Sequence, residues 1–120
     1  MAARVTPDHV VVDRSELAYD DHTWQLEGHR YADAGVSLIL VEMPPGEGVR
    51  LHRHAYGEVF VVHEGRATYT VGAATLEVRA GQVVIVSPGV PHGFVSTGDA
   101  PLRQTDIHLS ERIVTEWLED

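Results

Sequence analysis

From residue 36 to residue 109 the chain is a succession of short β-branched and apolar runs separated by turn-forming residues. Helical periodicity is nearly absent from this stretch. The runs predict strands over 36–43 (VSLILVEM), 49–54, 58–63 (EVFVVH), 66–71, 74–79, 82–86 (QVVIV), 92–97 and 102–109. Their separators, among them PPGEG, AYG, EGR, AGQ and SPGVP, each hold a residue able to turn the chain sharply. Many short strands at this spacing predict an antiparallel sandwich or barrel. VFVV and VVIV are apolar on both strand faces, which suits a small two-sheet barrel with a covering segment outside.

The two ends read differently. Residues 1–35 are more polar and are expected to form an N-terminal arm of the same domain, with one strand near 9–13 (HVVVD). At the other end, Ser110 can cap a helix and Glu111 complements its dipole. Ile113, Val114, Trp117 and Leu118 then share one helical face, which predicts a short helix over 110–120. The barrel proper is assigned to 36–109.

Composition narrows the chemistry. At 120 residues the chain fits one domain with a real core. It has no cysteine, so disulfides, thiolate metal sites and thiol catalysis are excluded. That absence is compatible with a cytoplasmic location, and neither a signal-peptide pattern nor an apolar run long enough for a bilayer is expected. The formal net charge is −9, and all nine basic residues are arginine. An acidic chain without a basic stripe is a poor partner for nucleic acid or an anionic membrane. Eight histidines are the one compositional anomaly that bears on chemistry.

Two of them stand in GVRLHRHAYGE, residues 48–58. Alternate strand residues point to one face, so His52 and His54 project two imidazoles together. The AYG turn can then deliver Glu58 at the start of the next strand. Alone, such a pair is more often a polar strand edge than a ligand set. His92, aimed by the tight SPGVP turn, is a candidate fourth group. Three imidazoles and a carboxylate suit Mn, Fe, Co, Ni, Cu or Zn rather than calcium.

Residues 46–65, GEGVRLHRHAYGEVFVVHEG, resemble the first motif of the cupin superfamily, G-x5-H-x-H-x3,4-E-x6-G, through Gly46, His52, His54, Glu58 and Gly65. Residues 81–96 are similar to its second motif through Gly81, Gly89 and His92. Ser87 stands where that motif has proline, with Pro88 shifted by one, and Ser96 replaces its closing asparagine. The resemblance implies an all-β fold, a cupin-type jelly-roll barrel like those of compact bacterial single-domain cupins. It also implies one divalent transition metal on His52, His54, Glu58 and His92.

Further residues are weighed by strand parity. Phe60 and Val62 share the parity of Glu58, and Phe94 that of His92; they are expected inside, as core or as an apolar pocket wall. Arg50 has the parity of His52 and could anchor a substrate carboxylate or lie exposed at the strand end. Gln104, Asp106 and His108 alternate along the last strand and would touch the metal ligands or a substrate if that face looks inward, while Ile107 and Leu109 claim the other face, so the direction is open. Tyr56 either leans over the site or fills the turn. His9, His22, His29 and His63 read as surface or packing residues.

The cupin scaffold hosts several reaction types, so it implies a site more than a reaction. The expectation is a metal-dependent enzyme acting on a small organic molecule, with dioxygenase chemistry preferred and Glu58 able to move a proton. A non-redox isomerase or cyclase, or a ligand-binding module without turnover, are the alternatives. A homodimer through the HVVVD arm and the Trp117 segment is expected.

Overall fold

The computed structural model describes residues 4–5 and 8–119. Its strands are β1 (Arg4–Val5), β2 (Val10–Val11), β3 (Thr23–Leu26), β4 (Ser37–Met43), β5 (Gly48–Arg53), β6 (Glu58–Glu64), β7 (Arg66–Val71), β8 (Ala74–Arg79), β9 (Val83–Val86), β10 (His92–Ser96), β11 (Leu102–His108) and β12 (Glu116–Trp117). They form two five-stranded antiparallel sheets, ordered β12-β5-β10-β7-β8 and β3-β4-β11-β6-β9, plus a β1–β2 ribbon. The eight strands expected between 36 and 109 all form, with ends shifted by a residue or so.

The core sits between the sheets. Val41, Met43, Phe60, Val62, Val86 and Leu102 face Ala67, Tyr69, Val78 and Phe94. Tyr69 lies edge-on to Phe60 at 5.2 Å and stacks on Phe94 at 5.3 Å. Such aromatic pairs contribute about 0.5–1.5 kcal/mol beyond the area they bury. This cluster is the floor on which the histidines stand, since Phe60 also lies edge-on to His92 at 5.7 Å.

Strands apolar on both faces bury one face in the core, but the segment expected to cover the other is not seen over β9, where Val83 is 55% exposed. Pairing aligns Leu26, Leu38, Ile107, Val59 and Ile85 in one row across the outer face of the second sheet. A second row runs Trp24, Leu40, Thr105, Val61 and Val83. At the β9 edge this face is open, with Ile85 74% exposed.

Three features of the ends were not anticipated in this form. Thr23–Leu26, within the N-terminal arm, pairs with β4 and extends the second sheet. The strand expected near 9–13 is reduced to Val10–Val11, paired with Arg4–Val5; the remainder of the arm at 1–3 and 6–7 lies outside the described residues.

The expected C-terminal helix over 110–120 is corrected. Residues 110–119 run as an extended strap that adds β12 to the edge of β5. The free edge of β5 decides the matter. It offers the Leu51 carbonyl to the Leu118 N–H at 3.0 Å and Arg53 to the Glu116 carboxylate at 2.8 Å. Ile113, Thr115 and Trp117 turn to the barrel mouth at a period of two, an arrangement β-branched and aromatic residues favour. Residue 120 lies outside the described residues.

The motif glycines answer to backbone geometry. Gly65 has φ +84°, and a Cβ there would meet the Pro101 carbonyl oxygen at 2.7 Å. Gly81 has φ +90° with open space around it. Gly65→Ala is therefore expected to destabilise the fold by about 3 kcal/mol, from strain and collision together. Gly81→Ala should cost only about 1–2 kcal/mol, from φ alone. Urea denaturation of both variants checks the order.

Candidate metal centre

Strand pairing, more than proximity in sequence, assembles the site. Antiparallel register sets His92 of β10 opposite His52 of β5, so both imidazoles leave the sheet on one face. On the facing sheet Glu58 of β6 lies opposite His108 of β11. His54 follows the end of β5, and its carbonyl accepts the Gly89 N–H at 2.8 Å. That bond ties the first histidine pair to the turn preceding His92, where Gly89 has φ +80°.

One donor atom each from His52, His54, Glu58 and His92 lies within 4.8 Å of the others, and all four residues are buried. Glu58 Oε1 is 3.1 Å from His54 Nε2 and 3.0 Å from His92 Nε2. The opposite ring nitrogens are committed to the backbone. Nδ1 of His52 is 2.8 Å from the Arg50 carbonyl, that of His54 is 2.8 Å from the Val114 carbonyl, and that of His92 is 2.9 Å from the Val90 carbonyl. A carbonyl only accepts, so each Nδ1 carries the hydrogen. In the neutral ring, Nε2 is then a lone pair aimed at the carboxylate.

Three lone pairs and an anion gathered in a dry pocket repel one another unless protons or a metal cation join them. His54 Nε2 is buried with no aligned hydrogen-bond partner, despite its 3.1 Å approach to Glu58. This donor set fits a divalent transition metal of the first-row series, and the carbonyls behind it are the outer partners that fix ligating imidazoles.

His108 is different. Its Nδ1 is 2.7 Å from the Tyr56 hydroxyl, whose oxygen already accepts the Val114 N–H at 3.1 Å. The Tyr56 hydroxyl can give its hydrogen to His108 Nδ1. In that tautomer the His108 proton sits on Nε2, 3.1 Å from Glu58 Oε2. Tyr56 also stacks on His54 at 5.0 Å, so it braces the site from behind.

The charges follow. Burial, with the neighbouring imidazoles of His92 and His54, depresses the His52 pKa to about 4, against the pull of the Arg50 carbonyl. Burial would raise Glu58, but the surrounding imidazoles of His108, His54 and His92 hold it well below the usual carboxylate range. Burial also opposes charge on His54, yet Glu58 and the Val114 carbonyl lift its pKa above the ordinary value. Tyr56 is pushed up to about 12 by burial.

The site opens into a cavity of about 690 Å³ lined by Ile39, Val41, Met43, Phe60, Phe94 and Trp117 among others. Phe60 and Phe94 thus serve as both core and wall, while Val62 is core alone. Arg50 stays at the rim: its Nε donates to the Glu119 carbonyl at 2.8 Å and its guanidinium lies 4.3 Å over the Trp117 ring. Gln104, Asp106 and His108 all turn inward and are buried. Gln104 stands behind the wall, bonded to Tyr69 and Asp106. His63 lies outside, 2.9 Å from Thr105 Oγ1.

Sequence reasoning did not single out Trp117 as a cavity residue, and it weighed Asp106 only together with Gln104 and His108, on a face whose direction stayed open. Trp117 lies 5.0 Å from the His52 ring, beside its strand partner. The alternation Gln104–Asp106–His108 was the available signal for Asp106, and burial of His108 opposite Glu58 settles its direction.

The cupin-domain family pattern matches residues 39–108. The chain belongs to the cupin family. A Streptomyces coelicolor relative, the uncharacterized protein SCO3923, is 51% identical over 80 residues, covering 58% of this chain and 76% of that protein. The Streptomyces cyaneus polyketide synthase CurC is 38% identical over 72 residues, covering 59% of this cupin and 46% of that protein. Among solved structures, Bacillus subtilis oxalate decarboxylase, described with Mn(II) centres, superposes with a TM-score of 0.74 at 23% identity. The match covers 83% of this cupin and 29% of that chain. At that identity the likeness establishes the fold. No helix among the described residues is long and apolar enough to cross a membrane.

Two outcomes test this geometry. Deleting residues 110–120 removes the Val114 carbonyl behind His54 and uncovers the β5 edge. Metal affinity should then fall about 10–100-fold, read by competition with a chromophoric chelator. The second concerns Asp106, whose pKa burial drives well above the ordinary value, with Glu58's charge adding to the rise. A carboxyl raised on folding stabilises below its unfolded pKa near 3.8 and loses that contribution as pH climbs towards the folded value. Metal-stripped Asp106→Asn should therefore gain stability relative to the parent as pH rises above about 4. Urea midpoints across pH measure the difference.

Proposed function

We propose that this cupin is a metal-dependent enzyme for a small organic molecule bound in the cavity above His52, His54, Glu58 and His92. The observation that carries the reading is the convergence of three Nε2 atoms, each fixed by an Nδ1–carbonyl bond, on one buried carboxylate beside that cavity. When bound, a divalent transition metal supplies Lewis acidity there and, for redox-active ions, one-electron chemistry.

The chain's own groups do the rest. The four ligand side chains hold the ion, while Ile39, Val41, Met43, Phe60 and Phe94 exclude water and seat an apolar body. Glu58 Oε2, 3.1 Å from His108 Nε2 with Tyr56 behind that ring, is the group we assign to take or return a proton. Oxygen-dependent dioxygenation is the preferred reaction. A non-redox isomerase or cyclase is the second reading, favoured by the 38% identity to a protein named as a polyketide synthase.

The homodimer belongs to the same proposal. The apolar outer face of the second sheet, open at Val83 and Ile85, supports it.

Elemental analysis of the protein purified without chelator is expected to find about one transition-metal ion per chain. His92→Ala should weaken retention by more than about 100-fold, since it removes a ligand rather than an outer partner, while His63→Ala leaves it unchanged. Oxygen consumption with a β-diketone or flavonol supports dioxygenation. Product without oxygen uptake moves the assignment to the isomerase or cyclase, and tight binding without product moves it to a binding module. Metal retention by His92→Ala equal to the parent removes the proposal.

A further inference from the structure

The cavity holds one buried acidic group that the proposed metal centre does not use. Asp106 is 4% exposed and lines the cavity wall. Its Oδ1 accepts a hydrogen bond from Gln104 Nε2 at 2.8 Å, and Gln104 Oε1 in turn accepts one from the Tyr69 hydroxyl at 2.6 Å. Tyr69 is held between Phe60 and Phe94. The chain Tyr69–Gln104–Asp106 fixes the carboxyl plane and leaves Oδ2 as the end with no protein partner among the described residues. With Oδ1 committed to Gln104, the end of the carboxyl left open on the cavity wall points to a ligand.

We propose that Asp106 is the residue that selects and orients the ligand of this cavity, donating a hydrogen bond from Oδ2 to an uncharged oxygen on an apolar molecule whose other oxygens face His52, His54 and Glu58. The inference rests on the metal-centre reading above and adds to it a second anchor and a substrate class.

Three observations favour an uncharged ligand over a small organic anion. Besides Glu58 and Asp106, the cavity is lined by the carboxylates Asp20 and Glu27. The one arginine on its lining, Arg50, is exposed at the rim and engaged with Glu119 and Trp117. The remaining wall mixes aliphatic and aromatic side chains with the uncharged polar groups of Thr23, Gln25 and Thr115, and about 690 Å³ is ample for a molecule with a ring or longer apolar body. Burial raises the carboxyl's pKa, with the charge of Glu58 adding to the rise, which favours Oδ2 as a donor over an acceptor.

The test uses the zinc-loaded full chain, so that no redox turnover intrudes, with 1-phenylbutane-1,3-dione as the neutral probe and oxalate as the anionic one. Calorimetric titration, zinc content and urea midpoint are measured for the parent, Asp106→Asn and Asp106→Leu. The parent is expected to bind the diketone saturably and more tightly than oxalate. Asp106→Asn presents an amide donor in the same place and should bind the diketone within about threefold of the parent. Asp106→Leu should lose about tenfold or more, the scale of one hydrogen bond in a dry site, at unchanged zinc content.

No saturable diketone binding by the zinc-loaded parent, or tighter oxalate binding, overturns the proposal. So does equal diketone binding by parent and Asp106→Leu. A loss in Asp106→Asn as large as in Asp106→Leu shows that an anion rather than a donor was needed, and overturns it as well. If zinc content or the urea midpoint falls together with binding in both variants, Asp106 is structural and the proposal fails. A parent that takes up no zinc instead removes the metal-centre reading itself, and this inference with it.

Discussion

Everything in this barrel turns on the electrostatics of three imidazoles facing one carboxylate. Each ring is locked in the tautomer that presents a lone pair, because its far nitrogen gives its hydrogen to a backbone carbonyl. In water such groups would simply be solvated. At 2% exposure for Glu58 and His92, and 4% for His54, solvent cannot relieve the repulsion. A cation can, and its charge would be little screened in so dry a place.

The fold serves that arrangement from several directions. The β10–β5 register puts His92 beside His52, and the Gly89–His54 bond anchors the turn that precedes His92. The aromatic cluster of Phe60, Tyr69 and Phe94 supports the rings from below. The C-terminal strap closes the edge of β5, supplies the acceptor behind His54 and lays Trp117 over His52. Backbone far from the first motif in sequence is therefore part of the metal centre. The same strap lends Ile113, Thr115 and Trp117 to the cavity mouth, so ligand access and imidazole orientation are mechanically linked.

Much of this was written in local pattern. Period-two alternation placed His52 with His54 and Phe60 with Glu58, and turn glycines marked the hairpins. Those signals are local, so one sequence carries them. What was illegible depends on long-range competition. Ile113, Val114, Trp117 and Leu118 satisfy a helical face, but Ile113, Thr115 and Trp117 equally satisfy a strand. The open β5 edge, not the segment's own propensity, chose between them. Thr23–Leu26 became a strand for the same reason, since β4 offers it a partner. The last strand was ambiguous because Ile107 and Leu109 compete with Gln104, Asp106 and His108 for the interior. Pairing of His108 with Glu58 buries the polar set and sends Ile107 outward. An apolar outer face is what allows this inversion of the usual rule.

The central claim is that these four side chains form one coordination sphere. X-ray absorption at the metal edge, on protein reconstituted with one equivalent of manganese(II), tests it most directly. The account predicts stoichiometric uptake and a first shell containing three imidazole nitrogens and a carboxylate oxygen, with multiple scattering from the rings. A shell of oxygens alone, or no retention of the ion on gel filtration, would contradict it.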